Sequence, residues 1–322
     1  MEKRFASIEE AMEHLLKKVS LMNKQCESSS QIETLGDEYK CQECQDKGYI
    51  LVKKKAIDEN GDQLKWPNGT LRFDEVAIEC DCLEQSRIRI RLKNALIPSE
   101  FANARFDNFI QNTDVQVKMY NSITEYLKNF NQLHTSPSNS LGFIAVFGEQ
   151  RLKDLPPNER LTAKKLHNNF GIGKTHLQIA AAKWLMKNQK IQENDRKRGC
   201  RVLCVSDVSF IEELTAAKMA GDGGSEFQKL IKTATSWADV LVWDDIGKSK
   251  WTETREGLYY QIINERYRNN KPIIFSSNED KGTLSEKIGY AASSRLFSMA
   301  GQYLLEVEGE DQRLKRKEKI YV

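Results

Sequence analysis

The sequence lacks a run of about 18 apolar residues, the length a bilayer-spanning helix needs. No membrane span is therefore expected. Its start, MEKRFASIEEAMEH, has no apolar signal core, so a cytoplasmic protein is expected. Excess charge is also missing: 49 Lys and Arg face 46 Asp and Glu, a net charge of only +3. Such a balance permits a nucleic-acid partner without requiring one. Seven cysteines in a chain without a secretory signal argue against a disulfide framework. What remains is ordinary for a globular chain, with 30% charged and 39% hydrophobic residues. Its 322 residues exceed one average domain and suit two.

The cysteines are informative by position. Cys41 and Cys44 form a C-x-x-C, Cys80 and Cys82 a C-x-C, and the rest stand apart. CQECQDKGYILVKKK and LRFDEVAIECDC read as two strands joined by a turn-rich stretch with NG twice, a cysteine pair at each open end. A hairpin would bring its open ends, and so four thiolates, together. Four sulfurs suit tetrahedral zinc, and a small polar module with little core gains stability from a metal. Four filled positions point to a structural zinc; the rival reading is four buried or free thiols. Upstream, residues 7–22 read as an amphipathic helix, with Ser7 and Glu10 as a capping box. It either packs on its own domain or docks a partner. Downstream, SRIRIRLKNALIP is a basic helix or connector ending at Pro98, the expected domain boundary. Its arginines either meet phosphates or form a solvated face.

Beyond Pro98 apolar runs alternate with helical stretches. GFIAVFG, CRVLCVSDV, ADVLVWDD, KPIIFSSN and QYLLEVEG read as strands, KTHLQIAAAKWLMKN and ETREGLYYQIINERYRNN as helices. This pattern predicts an α/β fold, a parallel five-stranded sheet with helices on both faces.

The chemistry gathers at strand ends. Gly173-Lys174-Thr175 opens a helix, and N–H groups at a helix start bind phosphate oxygens. Lys174 would balance the outer phosphates and the Thr175 hydroxyl would hold magnesium. VLVWDD ends an apolar strand in two carboxylates: Asp244 is expected to reach magnesium, and Asp245 to orient or deprotonate the attacking water. Asn278, at the tip of IIFSSN, is placed to hold that water. Arg295, in AASSRLF, is a candidate arginine finger acting across a subunit boundary, and Arg313, in GEDQR, a candidate phosphate sensor within its own subunit. Taken singly, either arginine reads as an ordinary surface residue; their order after the other elements is what marks them.

These segments, in this order, resemble the AAA+ P-loop ATPases of the bacterial and phage helicase-loader family, the DnaC and DnaI type. The resemblance runs from Cys41 to Arg313 and includes ANARFDNFI and the cysteine pairs. It implies residues 1–98 as a helicase-interacting, zinc-binding region and 99–322 as the ATPase domain. It also implies ATP, Mg2+ and Zn2+ as cofactors. The implied partners are a replicative hexameric helicase, single-stranded DNA and further copies of the chain. One departure stands out. The phosphate-loop pattern G-x-x-x-x-G-K-[ST] fails, because Asn168 stands where the first glycine belongs. If Glu149–Asn168 is removed, GFIAVFG runs straight into NFGIGKTH. Gly148 then precedes Asn169, Phe170, Gly171, Ile172, Gly173, Lys174, Thr175 and His176 in full register. Residues 149–168 therefore read as a 20-residue insertion in the loop, extruded as a helical excursion while Gly148 and Asn169 stay close. Two rival functions remain open. One is a transposition-type AAA+ regulator on duplex DNA; the other is an adaptor that binds helicase and DNA without hydrolysing ATP.

Overall fold

The computed structural model describes residues 39–59, 61–194, 196–221 and 223–312. The helix expected over 7–22 and Arg313 lie outside the described residues. The chain divides into two compact units, Met1–Leu83 and Glu84–Val322, so the division falls before the boundary expected at Pro98. Residues 84–98 group with the second unit because their helix is tied to it: Arg91 Nε donates to the Met186 carbonyl at 3.2 Å.

The first unit is a hairpin. β1 (Tyr49–Lys55) pairs antiparallel with β2 (Phe73–Glu79), from Tyr49↔Glu79 to Lys55↔Phe73. Beyond the ladder, bridges Ile57↔Gln63 and Lys65↔Leu71 extend it. All seven residues of β2 are exposed, so the hairpin has little core of its own.

In the second unit α1 (Asp81–Asn94) leads to α2 (Asp114–Lys128), which opens with a capping box at Thr113. The sheet then builds from β3 (Leu141–Ala145), β6 (Val202–Ser206), β7 (Val240–Asp244), β8 (Ile273–Ser276) and β9 (Leu304–Val307). Their order is β6-β7-β8-β3-β9, and every neighbouring pair is parallel. Alternate residues face opposite sides. Val240 and Val242 join the core that packs α2 and α5 (Lys174–Asn188). Leu241 and Trp243 join the core against α6 (Asp207–Met219), α7 (Ser225–Lys232), α8 (Glu253–Arg268), α9 (Lys281–Ile288) and α10 (Tyr290–Ala300). The expected five-stranded parallel sheet with helices on both faces is what the chain forms.

Two elements differ from expectation. A small antiparallel hairpin, β4 (Lys190–Glu193) with β5 (Arg196–Gly199), precedes β6, where QENDRKR carries no apolar alternation to reveal it. The strand expected from Cys200 starts at Val202 and ends at Ser206, since Asp207 already begins α6. Asp207 is fully buried. Its carboxylate accepts from Trp243 Nε1 (3.0 Å), the Tyr259 hydroxyl (2.8 Å) and the Ser249 N–H (2.8 Å), and burial pushes its pKa up. These bonds pin the loop that follows β7. Arg266, also buried, donates to four carbonyls, those of Ala234, Ala238, Asp239 and Pro272. It fixes the segments that feed β7 and β8.

The segment 149–168 is largely helical. α3 (Glu149–Asp154) and α4 (Pro157–Leu166) leave the sheet after β3 and return before α5, and no residue of α4 is buried.

Candidate active site

Parallel strands present their C-terminal ends to one crevice, and ligands of such sheets bind there. β7 ends in Asp244, β8 leads to Asn278, and the loop before α5 lies between them. They line a cavity of about 440 Å³, a size suited to a nucleotide.

The loop needs its glycines. Gly171 and Gly173 have φ of +66° and +103°, conformations glycine adopts at no steric cost. A Cβ on Gly171 would overlap the Asp311 carboxylate, and one on Gly173 would lie 2.5 Å from Phe109 Cε2. From Gly173, as N-cap, α5 begins at Lys174, and its first residues Lys174, Thr175 and His176 line the cavity, where a helix start can meet phosphate oxygens. Lys174 is 6% exposed; its amine donates to the Asn169 carbonyl at 2.9 Å and to Asn278 Oδ1 at 2.7 Å. Asn278 in turn donates through Nδ2 to Asp245 Oδ1 at 2.8 Å. The Thr175 hydroxyl donates to Asp244 at 2.9 Å. Lys174, Thr175, Asp244, Asp245 and Asn278 thus form one hydrogen-bonded constellation around the cavity. Phe170, Ile172 and His176 also line it; the His176 ring rests 5.4 Å from Phe109, and its Nε2 lies 2.8 Å from the Arg105 carbonyl.

Burial pushes the Asp244 pKa up, and the neighbouring Asp245 charge adds to this; hydrogen bonds from Ser276 and Thr175 oppose it. Two adjacent carboxylates and a hydroxyl in a mostly buried position form an oxygen donor set suited to magnesium. Asp245 has φ of +55°, a region few residues except Asn and Asp adopt, and its N–H is held by Ser276 Oγ at 3.1 Å.

Two contributors, Ser276 and Lys248, were not singled out in the sequence. Ser276 donates to Asp244 Oδ1 at 2.7 Å while receiving the Asp245 N–H, so one hydroxyl sets both carboxylates. Lys248 Nζ lies 3.2 Å from Asp245 Oδ2 and lines the cavity. Phe109 and Ile110, of the FDNF segment, form part of its wall. Ser276 and Lys248 were legible only as neighbours of the acidic pair and the Asn278 tip.

Other expected residues lie elsewhere. Gly148 does not line the cavity: it is the N-cap of α3, and its N–H donates to Asp280 Oδ2 at 3.1 Å. The next two N–H groups are also taken, Glu149 by the Asn278 carbonyl (2.9 Å) and Gln150 by Glu279 Oε2 (3.0 Å). Asn169 nevertheless stays beside this turn, with Nδ2 3.3 Å from the Phe147 carbonyl. Arg295 lies on α10 and does not line the cavity.

In the first unit the hairpin gathers the four cysteines. Their sulfurs all lie within 4.8 Å of one another, with Cys41–Cys80 at 3.6 Å and Cys44–Cys82 at 3.2 Å. A tetrahedral zinc with Zn–S near 2.3 Å places sulfurs about 3.8 Å apart. The donor set fits zinc, and Gly48 N–H already donates to Cys44 Sγ at 3.3 Å.

Comparison with known proteins agrees with the ATPase fold. The profile of the bacterial DnaA ATPase domain matches residues 124–296, more than half of the chain. The chain belongs to that family. Within the bacterial DnaA ATPase domain match lie the helix start at Lys174, the acidic pair, Asn278 and Arg295. The chain is also similar to the phage-like element PBSX protein XkdC of Bacillus subtilis (strain 168), 26% identical over 278 residues, 84% of this chain and 83% of that protein. An insertion sequence IS21 putative ATP-binding protein of Pseudomonas aeruginosa is 31% identical over 157 residues, 47% of this chain and 52% of its own. A crystal structure of DnaI is 20% identical with a TM-score of 0.46, covering 68% of this chain and 95% of that one. Among the described residues no helix is long and apolar enough to cross a membrane.

Proposed function

We propose that the chain is a cytoplasmic, ATP-dependent loader of a replicative DNA helicase onto single-stranded DNA. The observation that carries the ATPase part is the constellation of Lys174, Thr175, Asp244, Asp245 and Asn278 on one cavity at the sheet edge. The loader part rests on the motif order and on the cysteine module, which accompany the ATPase core in loader-like proteins.

The residues divide the work. Lys174, already nine-tenths buried, carries positive charge to the outer phosphates of ATP. Thr175 and Asp244 would hold magnesium, which would supply positive charge to offset that of the phosphates. Asp245 takes the proton of the attacking water, and Asn278, bonded to both Asp245 and Lys174, fixes where that water sits. Arg295 acts on ATP bound to a second copy, which suits its place outside its own cavity. Arg313 is the proposed sensor within the same subunit. Hydrolysis is therefore slow in the isolated chain and rises on assembly. Binding to the helicase, with a pull-down against the host's hexameric replicative helicase, tests the reading: capture supports it, and capture of a recombinase instead supports the transposition regulator. The similarity to the insertion sequence IS21 putative ATP-binding protein favours this second reading.

The insertion reading has its own test. Glu149–Asn168 diverts Gly148, so its N–H serves Asp280 rather than phosphate. Deleting Glu149–Asn168 joins Gly148 to Asn169 and returns that donor to the loop. A hydrogen bond to a charged group contributes about 1.5–3 kcal/mol, so ATP binding should tighten roughly tenfold or more in an equilibrium titration. Unchanged or lost binding would count against the insertion.

A further inference from the structure

Arg295 has an unusual setting for a surface arginine. Its guanidinium carbon lies 5.2 Å from the Tyr260 ring centre and 5.8 Å from that of Tyr267. These tyrosines are seven residues apart on α8, two turns along one helical face. Both remain exposed, at 41% and 39%. Nη1 donates to the Ala291 carbonyl at 2.8 Å, one turn back on α10. Among the described residues no carboxylate pairs with Arg295.

We propose that Tyr260 and Tyr267 are positioning residues that hold the Arg295 guanidinium at the surface for use by ATP bound to a second copy of the chain. This deepens the proposed function and rests on Arg295 being its trans-acting arginine. An ion pair would also fix the side chain, but it would neutralise the charge and would have to break before a phosphate could be met. Ring faces attract the cation without a counter-ion, so the charge stays available. Among the described residues one of the five guanidinium N–H groups is spent on the protein, so the others remain for phosphate oxygens. The flexible arginine stem loses its rotamer freedom before the subunits meet rather than at the moment of contact. Tyr260 and Tyr267 are not expected to touch ATP. They act through Arg295, so their loss should lower the rate without changing affinity.

The test is steady-state ATP hydrolysis by the full chain across a range of protein concentrations. Four variants are compared with the parent: Arg295→Ala, the double change Tyr260→Ala with Tyr267→Ala, the corresponding double change to Phe, and Lys174→Ala as the dead control. Arg295→Ala should lower the assembly-dependent kcat by on the order of 10³-fold. The double Ala variant should lower it by roughly ten- to a hundredfold, the cost of a displaced catalytic group, with KM for ATP unchanged. The double Phe variant, which keeps both ring faces, should restore it. The proposal is overturned if the double Ala variant keeps the parent kcat, if it shifts KM alone, or if Phe fails to rescue. If Arg295→Ala itself leaves kcat intact, it is the trans-acting role of Arg295 that fails, and the proposal goes with it.

Discussion

Lys174→Ala is expected to abolish saturable ATP binding and to reduce hydrolysis to background, at least about 10²–10³-fold, the usual cost of losing one preorganised charge donor. The magnitude follows from the setting. Lys174 is 6% exposed, so little water screens its amine from bound phosphate. It also links the phosphate loop to the Asn278 side chain, and Asn278 holds Asp245. Truncation therefore removes a phosphate ligand and releases the residue that places the catalytic carboxylate. The fold should survive, because the loss leaves only polar acceptors unpaired, at about 1–3 kcal/mol. An ATP titration, a hydrolysis assay and a thermal melt of the same preparation separate the two effects. A variant that binds and hydrolyses like the parent would show that this cavity is not the nucleotide site.

Removal of the zinc proposed for the four cysteines is expected to have the second large effect. Structural zinc in small modules carries about 10–16 kcal/mol of apparent binding free energy, which is also folding free energy. A two-stranded hairpin alone is marginal in water. Here β2 is exposed throughout, while Cys44 and Cys80 at the sulfur cluster are buried. A strong chelator, or Cys80→Ser, should therefore release the hairpin to proteolysis within residues 39–83 while leaving ATP binding in place. Metal analysis should find a single zinc per chain. A hairpin that stays protected without metal would return the cysteines to buried free thiols.

The sequence revealed most where one physical rule acted alone. VLVWDD reads as a buried strand ending in carboxylates, and β7 ends at Asp244. The helix from Lys174 to Asn188 begins and ends where expected, because a glycine turn opens it and its alanine-rich face is buried. The cysteine spacing also sufficed, since a hairpin must bring its open ends together. Legibility failed where partners come from distant segments. Nothing in IIFSSN says that the Ser276 hydroxyl spans both acidic residues, or that Asp280 takes the Gly148 N–H. Asn169 lies beside the end of GFIAVFG, but the sequence could not tell where the Gly148 N–H would point. Nothing in ETREGLYYQIINERYRNN says that Tyr260 and Tyr267 would meet Arg295, which α10 brings beside α8.

The central claim is that ATP use by this cavity places a helicase on DNA. The most direct measurement mixes the chain, the host's hexameric replicative helicase and circular single-stranded DNA, which offers no free end to thread. The account predicts helicase on the circle only when both ATP and the chain are present, and not with Lys174→Ala. Equal helicase occupancy without the chain, or with Lys174→Ala, would contradict it.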